Sequence, residues 1–149
     1  MVVDRAKLSS SEPTLGARDA PGAPLPAGCV HAYLIGTNED TKLLLRGLLR
    51  LYHHRVVFEG RSVGELEGVL PAPDPRVLVL DGETVPEGWE SAIRAAQGAQ
   101  PGLHTVLITS DRSPGLAARV RAAGASVVLV RPFAIAEFNR ALAAASTAP

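Results

Sequence analysis

The feature that most limits what this chain can fold into is RVLVLD, residues 76–81. Val77, Leu78, Val79 and Leu80 follow one another without a polar break, and a carboxylate, Asp81, ends the run. A half-buried strand alternates apolar and polar residues. An unbroken run this short, rich in valine and leucine, reads instead as a strand covered on both faces. Asp81 then stands at its carboxyl end, which is where open parallel sheets bind their ligands. Asp81-Gly82 is also turn chemistry, so these residues alone equally allow a plain strand terminator.

The rest of the chain supplies the context for that strand. HAYLIG (31–36) reads as a first strand, and a polar cluster, Thr37-Asn38-Glu39-Asp40, leads into a helix over TKLLLRGLLRLY (41–52). Leu44, Leu45, Leu48 and Leu49 are expected on the apolar face of that helix, and the acids before it suit its dipole. RVVFEG (55–60) is a second strand. Ser62 and Glu65 have capping-box spacing for a short helix ending near Leu70, and PAPDP (71–75) blocks any helix before residue 77. After Asp81 comes a loop and then a helix over 89–97, stopped by Pro101-Gly102. HTVLITS (104–110) is a fourth strand. Ser113 is the expected N-cap of the next helix, with Pro114 in its first turn; Leu116, Val120 and Ala123 form its stripe and Gly124 stops it. SVVLV (126–130) is a fifth strand. A last helix over 134–145 is expected to turn Ile135, Phe138 and Leu142 inward. Five strand–helix alternations argue for a parallel sheet with right-handed crossovers and helices on both faces.

Residues 1–28 differ. They are rich in Pro, Gly, Ala and Ser and show no hydrophobic period, so they read as a disordered tail ahead of a domain over 29–149. With 15 basic and 15 acidic residues the formal charge is zero, and there is no basic run to hold nucleic acid. Cys29 is the single cysteine, which fits a reducing compartment, and no apolar run is long enough for a membrane span. A cytoplasmic protein is the expectation. The four histidines show no metal-ligand spacing with Cys29. His53 and His54 are expected in the exposed turn after the first helix, and Trp89 packed at a helix start. No P-loop or dinucleotide fingerprint occurs.

Four pieces in order, VLVLD ending at Asp81, VLITS around Thr109, AAGA at 122–125 and LVRPF at 129–133, resemble the receiver domain of two-component response regulators. The likeness spans about residues 31–145. It implies an α/β fold of flavodoxin-like type, a doubly wound five-stranded parallel sheet of order 2-1-3-4-5. It also implies a module that is not an enzyme. Asp81 would accept a phosphoryl group from a phosphohistidine on a partner kinase, the Thr109 hydroxyl would bond that group, and Arg131, ahead of a cis-proline at Pro132, would pair with it. Mg²⁺ would be held by Asp81 and the backbone carbonyl of Glu83.

Four departures qualify that likeness. The strand-one acids that complete the metal site are replaced by Gly36 and Thr37, with Glu39 the one nearby carboxylate that could reach in, so Mg²⁺ binding is expected to be weak. The usual lysine is Arg131, a planar fork rather than a compact ammonium. The usual strand-five aromatic is Val128. The loop after Asp81 is also one residue longer than usual before Pro86. The reading is therefore a degenerate receiver, a pseudo-receiver of phosphorelay type that works through protein contacts, with phosphorylation at Asp81 weakened or lost. The expected partners are a histidine kinase, a phosphotransfer protein or a downstream target, with homodimerisation through the last two helices a further expectation. Two alternatives remain: a phosphoaccepting regulator with an unusual metal site, and a flavodoxin-like small-ligand protein. Two acids in GTNEDT (36–41) speak against the second, since they would repel a flavin phosphate.

Overall fold

The computed structural model describes residues 25–146. The expected tail lies outside them except for its last four residues, where a turn carries the backbone N–H of Cys29 to the Pro26 carbonyl (3.1 Å). Five strands, β1 (His31–Ile35), β2 (Arg55–Gly60), β3 (Arg76–Asp81), β4 (His104–Thr109) and β5 (Val127–Val130), form one parallel sheet of order β2-β1-β3-β4-β5. Among the described residues four helices accompany it: α1 (Glu39–Leu51), α2 (Trp89–Ala99), α3 (Leu116–Ala123) and α4 (Ile135–Ser146). This is the flavodoxin-like architecture expected.

β3 lies at the centre, and the unbroken apolar run now has its cause. Leu78 and Leu80 point, with Tyr33, Ile35 and Leu107, into a core closed by α2 and α3. Val77 and Val79 point, with Ala32, Leu34, Val106 and Ile108, into a second core closed by α1 and α4. A strand between two cores has no solvent face to leave polar. The crossover after β2 is reduced to one 3-10 turn, Val63–Leu66, in place of a helix reaching Leu70. Glu65 still caps it, accepting from the N–H groups of Arg61 (2.9 Å) and Ser62 (3.1 Å). The Tyr33 hydroxyl accepts from Ala72 N (2.8 Å) and so pins the proline-rich return to β1.

Several expectations about side chains are corrected. α1 begins at Glu39, because the Asn38 side chain caps it by accepting from Thr41 N. Leu45, Leu48 and Leu49 bury, but Leu44 is exposed together with Leu43 and Leu51. Ser113 does not cap α3. Its hydroxyl and N–H turn back to Asp111, and Gly115, at φ +82°, takes the cap position. Ile135 is half exposed, while Phe138 and Leu142 are buried. His54 is buried, whereas His53 leaves the helix at φ +68°. That left-handed residue ends α1 and turns His54 inward. There the His54 Nδ1 accepts from Val30 N (3.1 Å). Since an amide N–H can only donate, Nε2 carries the proton and donates to Asn139 Oδ1 (2.7 Å), tying the end of α1 to α4.

Candidate functional site

The β3 register sets Leu80 beside Ile35 and Asp81 beside Ile108, so Asp81 is the first residue past the end of β1. It is 1% exposed. A buried carboxylate needs donors, because losing water costs several kcal/mol unless protein groups replace it. Asp81 finds three. Oδ1 lies 3.6 Å from an Arg131 guanidinium nitrogen and accepts from Glu83 N (3.3 Å), and Oδ2 accepts from the Thr84 hydroxyl (3.1 Å). Arg131 reaches in from the end of β5, positioned by its N–H on the Thr109 carbonyl (2.8 Å) and followed by the cis Arg131-Pro132 peptide.

Thr84 is the residue that sequence reasoning overlooked. Its hydroxyl also accepts from Thr37 N (3.0 Å), and its carbonyl accepts from the Thr37 hydroxyl (2.8 Å). The loops after β1 and β3 are thereby stitched together directly. Gly36 belongs to the same closure. A Cβ there would lie 2.9 Å from Asp81 Cβ, 3.3 Å from Thr84 Oγ1 and 3.5 Å from Asp81 Oδ2. Glycine at 36 is thus more than a missing acid: the space for any side chain is taken. The one available signal was the longer loop expected between Asp81 and Pro86.

The other predicted site residues are placed as follows. Thr109 is buried at the end of β4, one position beyond Asp81's register partner, and its Oγ1 accepts from Asp111 N (3.1 Å). The Glu83 carboxylate turns to the neighbouring loop, accepting from Ser110 N (2.7 Å) and Ser110 Oγ (3.0 Å). Glu39 does not reach Asp81. It is exposed and paired with Lys42 (3.3 Å) and Arg61 (3.5 Å), as a first-turn helix acid facing solvent. Val128 packs partly buried against the α2–α3 core. Beside the site, the hydroxyl and N–H of Ser113 hold the Asp111 carboxyl below its ordinary range.

Mg²⁺ asks for six oxygens in near-octahedral order and, as a rule, one or two carboxylates with open lone pairs. Here one carboxylate is present, its oxygens are taken by a guanidinium, an amide and a hydroxyl, and both Thr37 groups are spent on Thr84. No group of three His, Cys, Asp or Glu side chains suited to a metal occurs among the described residues. The residues present do not fit the ion. A flavin phosphate fares no better in the β1–α1 loop, where Asn38 caps the helix and Thr37 is latched to Thr84.

No protein-family model matches the chain, and no curated protein does. Solved structures do. The chain aligns with the RcsB response regulator of Salmonella typhimurium at TM-score 0.65 and 19% identity, over 77% of this chain and 57% of that one, so it spans little more than half of that regulator. The isolated REC domain of RcsB from Salmonella enterica serovar Typhimurium, solved in the presence of phosphomimetic BeF3-, gives TM-score 0.65 at 18% identity, with 77% and 86% covered. The beryllofluoride-activated NtrC4 receiver domain dimer gives 0.64 at 20% identity, with 78% and 95% covered. At such identities the likeness is one of fold, and with the strand order, the central β3 and the carboxylate at its end, it establishes that this chain has the fold of a response-regulator receiver domain.

Proposed function

We propose that the chain is a receiver module of two-component or phosphorelay type that signals through protein–protein contacts, with phosphoryl transfer to Asp81 weakened. The observation that carries this reading is the closed coordination of Asp81. Thr84 and Glu83 N occupy the carboxylate, Arg131 supplies the fixed positive charge, and Thr84 bonds to Thr37 at the position where a second acid would be needed. Transfer from a phosphohistidine breaks an N–P bond and forms an O–P bond to Asp81. It depends mainly on positioning and on neutralising the phosphoryl charge. With one guanidinium and no metal site, that neutralisation is incomplete. The Asp81 oxygens must also be freed from Thr84 and Glu83 before one can attack. Val128, in place of an aromatic, offers little side chain to carry a change at Thr109 to the last strand.

The partners in this reading are a histidine kinase, a phosphotransfer protein or a downstream target, bound by the unmodified chain, and the module itself is not an enzyme. No described helix is long and apolar enough to cross a membrane. The test pairs two measurements. Acetyl phosphate labelling is expected to be slow and nearly indifferent to Mg²⁺, and Asp81→Asn is expected to bind the partner as the wild type does. Rapid Mg²⁺-dependent labelling together with partner binding lost in Asp81→Asn would restore a phosphorylation switch and overturn the proposal.

A further inference from the structure

The outer face of α1 gathers three of the six exposed large apolar side chains among the described residues. Leu43, Leu44 and Leu51 are 61%, 63% and 62% exposed, on a helix whose opposite side buries Leu45, Leu48 and Leu49. At about 100° per residue, Asp40, Leu43, Leu44, Gly47, Arg50 and Leu51 all fall within about 60° of the Gly47 direction. Gly47 is unexplained by its own chain: a Cβ there would meet nothing within 4 Å, so alanine would fit and would favour the helix. Asp40 at one end of the stripe and Arg50 at the other carry no ion pair among the described residues.

We propose that this stripe is a self-association surface, with α1 of one copy antiparallel to α1 of a second copy across a two-fold axis. Asp40, Leu44, Gly47 and Leu51 are spaced by four, three and four residues, the spacing of a helix–helix seam. In an antiparallel pair centred between Leu45 and Arg46, Leu44 of each copy faces Gly47 of the other, where the absent side chain leaves room for it. Arg50 of each copy comes beside Asp40 of the other. A two-fold axis makes each contact twice, so one apolar fit and one ion pair become two of each. A parallel pair would instead set Arg50 against Arg50 and Asp40 against Asp40. Charge complementarity therefore selects the antiparallel second copy. The α3–α4 surface, by contrast, offers Ile135 as its exposed large apolar side chain among the described residues. The proposal stands apart from the reading of Asp81.

Sedimentation velocity on the full chain tests it over roughly 1–500 μM, the range in which a small interface associates. The expected result is a monomer–dimer equilibrium. Leu44→Glu is expected to weaken it about thirtyfold or more, the loss typical of an interface anchor. Gly47→Gln, which fills space that is open in the monomer, is expected to weaken it about fivefold or more through overpacking. Asp40→Arg and Arg50→Asp should each weaken it about threefold, and the two together should recover the wild-type constant. Circular dichroism at low concentration should show all four variants folded, with melting raised by Gly47→Gln through helix propensity and lowered slightly by the two charge reversals at the helix ends, which separates association from folding. A wild type that stays monomeric throughout would assign the face to some other protein and overturn the proposal. So would a dimer indifferent to Leu44→Glu and Gly47→Gln, or a charge swap that fails to recover.

Discussion

At the carboxyl end of β3, the groups that could meet a ligand are spent on one another: Asp81 on Arg131, Thr84 and Glu83 N, and Thr37 on Thr84. On the outer face of α1 the opposite holds, with three leucines in solvent and Asp40 and Arg50 without ion pairs among the described residues. The first region sits where a receiver does its chemistry and is built as a closed structural joint. The second lies away from that chemistry and is left open. The difference teaches that two surfaces of one fold can differ in how far their side chains are satisfied within the chain.

If the Asp81 pocket is a joint, changes there cost stability, and changes on the α1 face do not. The largest effect is expected from Arg131→Ala, which removes the cation beside a buried carboxylate. Fully buried pairs lose 3–5 kcal/mol when broken, and because the Arg131 side chain is 33% exposed, about 2–3 kcal/mol is expected here. Chemical denaturation measures it, and adding Asp81→Asn should return part of the loss. An unchanged midpoint would mean the pair is only a surface contact. Gly36→Ala follows, at about 2 kcal/mol, because its Cβ would press on Asp81 and the core loops cannot widen freely. Thr84→Val keeps the shape but removes the hydroxyl shared by Asp81 and Thr37, for about 1–2 kcal/mol. A loss no larger than that of Thr37→Ser would dissolve the latch as an explanation.

A smaller, graded effect is expected with pH, away from both regions. Burial lowers the pKa of His54 despite its bond to Asn139, with His53 adding to the shift, and burial and Arg55 lower that of His31. Their folded pKa values therefore lie below the unfolded value of about 6.5. Below that pH the unfolded chain binds protons that the folded chain refuses. Stability is thus full above pH of about 6.5 and falls as the pH drops through the folded values. His54→Gln should flatten part of that slope in urea titrations at a series of pH values. The smallest effect belongs to the open face: Leu44→Glu in the monomer should shift stability by no more than about 0.5 kcal/mol. A loss as large as that of Thr84→Val would show that the face packs within the chain and erase the contrast.

Much of this was legible in the residues. The unbroken VLVL run, the proline and glycine breakers and the alternation of strands and helices specify five parallel strands with β3 central, because hydrophobic period and backbone restriction are local properties. The placement of Asp81 at a strand end, Arg131 near it and Pro132 in cis was equally readable from the resemblance. Tertiary structure alone decided the rest. Leu44 and Leu45 are neighbours of the same type, and which one buries depends on the angle at which α1 meets the sheet. His53 and His54 divide in the same way, through one left-handed residue that points the second ring at Val30 and Asn139. Ser113 yields the cap position to Gly115 and instead donates its N–H and hydroxyl to Asp111, two residues back. Thr84 is the clearest case. A threonine three residues past an aspartate carries no signal by itself, and its role arises where the loops after β1 and β3 meet. Contacts between segments distant in sequence depend on how the sheet brings chain ends together, and no local pattern encodes the direction of a side chain across that gap.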